Sequence, residues 1–311
     1  EKIEFGLNRA GEHREYHSVW SLLMVPFNKV GIRSVVVVVV IVVGLAAWID
    51  WKIAPAGWLA SKKGEKIELA DLTSPELKQM ITDGYTTVLL PTGGVEQGGA
   101  HLALGKHNFV VDFTAREIAR ELGKTLVAPT LPFSPAGNAD PPTQHMIFPG
   151  TMSLPADQFA AVIEAEARDM RAAGFTLICI VPEHGLAVPE QDAVAKKLTE
   201  EWQAAGVRVV SIDDYYAKNG QDEALASEGY SAQDIGRHAG MKDTSELWRV
   251  DPDGVRPQLR EESHDFDHTG VDGDPRKASP EMGDRLLRLK IDAAVTEIRA
   301  LQKDPGKLAG H

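Results

Sequence analysis

The chain has 311 residues, 43% of them hydrophobic, and a formal net charge of -12 from 33 Lys and Arg against 45 Asp and Glu. That length and apolar content support one large domain or two small ones, and the acidic balance excludes a general nucleic-acid binder, which needs clustered basic side chains to meet phosphate. Cys179 is the only cysteine, which excludes an internal disulfide and a C-x-x-C metal site; within the apolar run 176–181 it reads as a small hydrophobe in a buried strand.

An N-terminal segment, 1–33, precedes an uncharged run at 34–49 that contains six consecutive valines at 35–40 and is closed by Trp48, Asp50, Trp51 and Lys52. A helix needs about 20 apolar residues to cross about 30 Å of hydrocarbon, and a snorkelling Arg33 with interfacial tryptophans makes up the shortfall. The expectation is one transmembrane helix at 34–53. A cleaved signal peptide and a buried valine strand are the alternatives, but more than thirty residues before the run are too many for a signal n-region. Basic residues near the span place the N-terminal side in the cytoplasm. The expected location is therefore the inner membrane, single-pass, with a periplasmic soluble domain. Residues 54–65, with Pro55, Gly57 and Gly64, read as a linker, 66–302 as that domain and 303–311 as a tail.

Within the domain Thr73-Ser-Pro-Glu76 starts a helix that stops near Gly84. A strand follows at 86–90, a helix at 108–122 closed by Gly123, and a strand at 125–131. The alternation continues with a helix at 156–173 closed by Gly174, a strand at 175–181, a helix at 190–205 closed by Gly206 and a strand at 207–212. A last amphipathic helix covers 280–301. This order predicts an α/β three-layer sandwich with a mostly parallel sheet, whose ligands bind beyond the carboxyl ends of the strands. Two polar loops lie there, 91–107 and 182–186. The glycine pairs 93–94 and 98–99 fit neither G-x-G-x-x-G nor a P-loop.

Four collinear segments carry a family resemblance. Leu90-Pro-Thr-Gly-Gly-Val-Glu-Gln-Gly-Gly-Ala-His-Leu-Ala-Leu104 resembles the creatininase signature P-x-G-S-x-E-Q-H-G-P-H-L-P-L-x-T-D. His145-Met-Ile-Phe-Pro-Gly-Thr-Met-Ser-Leu154 is similar to H-x-x-F-P-G-T-x-S-L, His238-Ala-Gly-Met-Lys-Asp-Thr-Ser245 to H-A-G-E-x-E-T-S, and Gly270-Val-Asp-Gly-Asp-Pro-Arg-Lys-Ala-Ser279 to G-V-x-G-D-P-x-x-A-T. The resemblance implies a metal-dependent hydrolase of C–N bonds, in which two divalent ions activate water and polarise an amide carbonyl. It also implies ring-like homo-oligomers, commonly hexamers.

Carried over by position, the metal-binding glutamate is Glu96 and the loop histidine His184, while the histidine two places after the glutamate is Gly98 and the bridging aspartate is His107. Leu186 stands where creatininase has a second-metal glutamate. The resemblance thus leaves one ligand set, Glu96, His107 and His184, for a single zinc, manganese or iron ion, or a vestigial hydrogen-bonded pocket with no metal. His238 is the expected proton donor, with Met241 and Asp243 in place of its motif's glutamates. Gln97, His101 and His145 are expected to line the pocket. His264 and His268 read either as a metal cluster or as part of a solvated acidic loop. Two functions remain: a membrane-anchored amidohydrolase with one metal, or an inactive scaffold or accessory subunit of a membrane complex.

Overall fold

A computed structural model of the protein describes residues 66–303. The expected anchor at 34–53, the linker at 54–65 and the tail beyond 303 lie outside the described residues. No helix among the described residues is long and apolar enough to cross a membrane.

Helix α1, Ser74–Thr82, begins as its sequence dictates: the Thr73 backbone N–H donates to the Glu76 carboxylate at 2.8 Å, and Pro75 stands in the first turn, where no amide hydrogen is needed. Strand β1, Thr87–Thr92, leads through a long loop to α2, Lys106–Leu122. Strand β2, Thr125–Val127, is followed by α3, Ala156–Ala173, and β3, Leu177–Pro182. Helix α4, Val188–Trp202, precedes β4, Arg208–Ser211. Helix α5, Met241–Val250, and α6, Pro280–Lys303, complete the long helices.

The four strands form a wholly parallel sheet in the order β2-β1-β3-β4. Every residue of β1 and β3 is buried, as a parallel sheet covered on both faces requires. Alternation sends Val88, Leu90, Ile178 and Ile180 to one face, where they pack with Phe159, Ile163, Leu198 and Trp202 of α3 and α4. Leu89 and Cys179 point to the opposite face, toward the layer of α2 and α6.

The strand expected at 125–131 is a ladder only to Val127; beyond it the chain keeps single contacts, such as the Leu131 N–H on the Pro91 carbonyl at 3.0 Å. Helix α5 is an addition to the sequence reading. It buries Thr244, Ser245 and Glu246 beside Met241 and Leu247, so its inward face mixes polar with apolar side chains.

Candidate active site

The β1 loop, the first turn of α2 and the segment after β3 converge, as expected, beyond the carboxyl ends of the strands. Glu96 is held by its own loop, its N–H donating to the Leu104 carbonyl at 2.9 Å. Gly93 packs against Asn108 so tightly that an added Cβ would lie 2.0 Å from Asn108 Oδ1 and would displace that side chain. His107 is the second residue of α2, and His184 follows β3, where the Glu183 N–H still donates to the Thr92 carbonyl at 3.0 Å.

A single carboxylate organises the cluster. Glu96 Oε2 lies 2.5 Å from His184 Nε2 and 3.3 Å from His145 Nδ1, while Oε1 lies 2.7 Å from His107 Nε2 and 3.5 Å from His238 Nδ1. Two groupings have donor atoms within 4.8 Å of one another: Glu96, His107 and His184, and Glu96, His145 and His238. The sequence had assigned the first set to metal, and His145 and His238 to other roles; all four imidazoles gather on the one carboxylate.

A fifth group was missed. Lys106 is 2% exposed, with its Nζ 2.8 Å from Glu96 Oε1, 2.6 Å from His107 Nε2 and 3.6 Å from Asp243 Oδ2. Burial works against its charge, but Glu96 and Asp243 outweigh that and raise its pKa, so it is an ammonium at neutral pH. Burial alone would raise the Glu96 carboxyl, yet Lys106, His184 and His107 hold it well below its ordinary range. His107 falls to about 3, through burial first and the adjacent Lys106 second, and His145 falls to about 4 through burial. The lysine stands at the threonine of the signature's L-x-T-D, next to the altered aspartate, and that was the signal available in the sequence.

The same contacts test the metal that the resemblance implies. Zinc binds such nitrogen and oxygen donors at about 2.0–2.2 Å, and two of the three it would need already accept from one ammonium. A divalent ion on those donors would lie about 3 Å from Nζ, a repulsion on the order of 10 kcal/mol at an effective dielectric of about 20. With Lys106 in place the residues do not fit a divalent ion.

His238 and Gln97 are coupled. His238 Nε2 lies 2.9 Å from the Gln97 backbone carbonyl, which accepts from it when that nitrogen carries the hydrogen. Burial, and then Lys106, lower its pKa, and the Gln97 carboxamide nitrogen lies 3.1 Å from the same Nε2. Gln97 is 4% exposed; its carboxamide nitrogen lies 3.5 Å from His145 Nδ1, and its oxygen accepts from the Gly99 N–H at 2.9 Å. It positions the imidazoles from behind. His101, expected in the pocket, instead lies 1% exposed against Thr244 Oγ1 of α5 at 2.9 Å, and burial brings it to about 4. The pair His264 and His268 is exposed and bonded to Asp272 and Asp265, as in the solvated-loop reading.

These groups open on a cavity of about 570 Å³ lined also by Leu186, Tyr216, Arg237, Lys242 and Phe266. The Phe266 ring stands edge-on to His145 at 5.2 Å and to His238 at 5.4 Å. Another part of the cavity wall belongs to a second buried network that the sequence reading also missed. Lys290 Nζ of α6 lies 2.9 Å from Glu183 Oε1 and 3.0 Å from Glu246 Oε2, the Tyr215 hydroxyl donates to Glu183, and Gln221 donates to Glu246. Burial raises Glu183 to about 7.

Comparison with known proteins agrees with this architecture. Residues 70–298 match the Creatininase family, described as creatinine amidohydrolase. The mycofactocin precursor peptide peptidase of Mycolicibacterium smegmatis is 25% identical over 259 residues, covering 76% of this chain and 92% of that one. The creatinine amidohydrolase of Pseudomonas putida is 24% identical over 206 residues, covering 61% and 74%. A crystal structure of creatinine amidohydrolase (creatininase) superposes with a TM-score of 0.65 at 20% identity, over 79% of this chain and 100% of that one. A family match that spans nearly all the described residues, on a fold shared with solved creatininases, leaves one assignment: the chain belongs to the creatininase family.

Proposed function

We propose that this protein keeps the creatininase pocket to bind a small amide-bearing or peptide ligand and does not hydrolyse it with a pair of metals. One observation carries the reading: both imidazole groupings rest on the same carboxylate, Glu96. A two-metal site needs bridging and flanking carboxylates to offset four positive charges, and positions 98, 107 and 186 supply a glycine, an imidazole and a leucine. The cavity is within the usual size range for small-molecule sites and mixes aromatic with charged walls. Relatives named for a peptide and for creatinine suggest the ligand class. In this reading the 34–53 segment anchors the domain to the inner membrane with the domain outside the cytoplasm. There it serves as an accessory subunit, assembled as a homo-oligomer in the family manner.

A second reading, a one-metal amidohydrolase using zinc, manganese or iron, is favoured by the close approach of Glu96, His107 and His184, but it requires Lys106 to leave its partners. Incubating the full chain with creatinine and with a tripeptide amide, in zinc or manganese, separates the two. We expect no product above the buffer rate. Metal-dependent turnover that His184→Ala abolishes would establish the hydrolase instead.

A further inference from the structure

We propose that Lys106 is a built-in cation that replaces the metal, and that it closes off a mononuclear site which Glu96, His107 and His184 otherwise complete. This goes beyond the binding role above and does not depend on whether the pocket turns anything over.

The argument is one of position and charge. Lys106 is the first residue of α2 and His107 the second, so the helix start delivers an ammonium and an imidazole to the same carboxylate oxygen. Nζ, Glu96 Oε1 and His107 Nε2 form a triangle with sides of 2.8, 2.6 and 2.7 Å. An ammonium has three N–H donors and no acceptor, so at the centre of this arrangement it satisfies two lone pairs that a metal would otherwise take. Its third direction leads toward Asp243 at 3.6 Å. The second grouping, Glu96 with His145 and His238, offers no escape, because it needs the carboxylate that Lys106 already holds.

Removing the ammonium should take from the buried Glu96 carboxylate the cation 2.8 Å away, and a divalent cation can supply that balance. Two imidazoles and one carboxylate make a three-ligand set with an open position, a composition that suits zinc. Neutral substitution of Lys106 is therefore expected to create metal affinity rather than only to destroy structure.

The test uses the full chain stripped of metal and titrated with zinc sulfate by calorimetry, with thermal unfolding as a second readout. Wild type and His184→Ala are expected to behave alike, with no zinc uptake that depends on His184. Lys106→Met should gain one zinc per chain at least about 100-fold tighter than any wild-type binding, and zinc should raise its unfolding temperature. Both gains should vanish in the Lys106→Met/His184→Ala double variant. Lys106→Thr, a smaller substitution, gives the same reading should the methionine variant fail to fold. The proposal is overturned if wild type binds one zinc that His184→Ala removes, a comparison that needs no lysine variant, or if a folded Lys106 variant gains none. Metal-free amide turnover by wild type would end the binding role and leave this proposal standing.

Discussion

Two buried lysines serve the same helix in opposite ways. Helix α5 carries Asp243 toward Lys106 and, three residues on and hence on one face, Glu246 toward Lys290. Lys290 has two carboxylates at 2.9 and 3.0 Å, each with a further donor, Tyr215 or Gln221, and it knits α6, α5 and the end of β3 together. Lys106 has one close carboxylate, Glu96, a second contact to the His107 imidazole and Asp243 only at 3.6 Å; Glu96 and His107 line the cavity, as does Lys290. The first arrangement is complete and structural. The second is crowded with nitrogen and short of carboxylate, the pattern expected where a site built for cations has been refitted with a different one.

The sharpest way to break this comparison is Lys290→Met. Removing one partner of a buried ion pair leaves uncompensated charge, so a loss of about 3–5 kcal/mol is expected in urea denaturation, and zinc should restore none of it. Recovery by zinc would mean that the two lysines are alike. A smaller effect concerns His101, which ties the β1 loop to Thr244 of α5. Its folded pKa of about 4 lies below the unfolded value of about 6.5, so the unfolded chain binds the proton more readily between those limits. The stabilisation is whole above about pH 6.5 and is lost as pH falls to about 4, at about 1.4 kcal/mol per pH unit. In His101→Gln the denaturation free energy should fall less steeply across that window; an unchanged slope would place the acid sensitivity elsewhere. At the small end, Arg168 pairs with Glu164 and Glu201 on the open surface. Arg168→Gln should leave the denaturation midpoint where it was, because exposed pairs gain little over their hydration.

Most of the layer order was legible because it rests on repeated local signals. Glycines 123, 174 and 206 stop helices, Pro75 starts one, and β-branched runs make β1 and β3. Helix α5 escaped because Thr244, Ser245 and Glu246 turn inward to meet His101, Ser279 and Lys290, partners far away in sequence that make polar residues welcome in the interior. The site divides along the same line. Glu96, His107 and His184 could be paired from motif positions, and they do meet. Lys106 and Lys290 were passed over because a lysine reads by default as solvated surface, and only the fold reveals that each is buried against carboxylate. His101 illustrates the reverse: it matches a motif position yet turns away from the cavity to brace a helix.

The Lys106 ammonium is joined to the backbone by its own side chain. A bound ion comes and goes with its supply, and a scavenger can strip it; a tethered charge has no dissociation constant and no exchange rate. The carboxylate it neutralises is therefore compensated from the moment the chain folds, in any ionic surroundings and against any competing chelator. On the proposal that Lys106 replaces the metal, the pocket keeps one electrostatic state where a metalloprotein would have a loaded and an empty one.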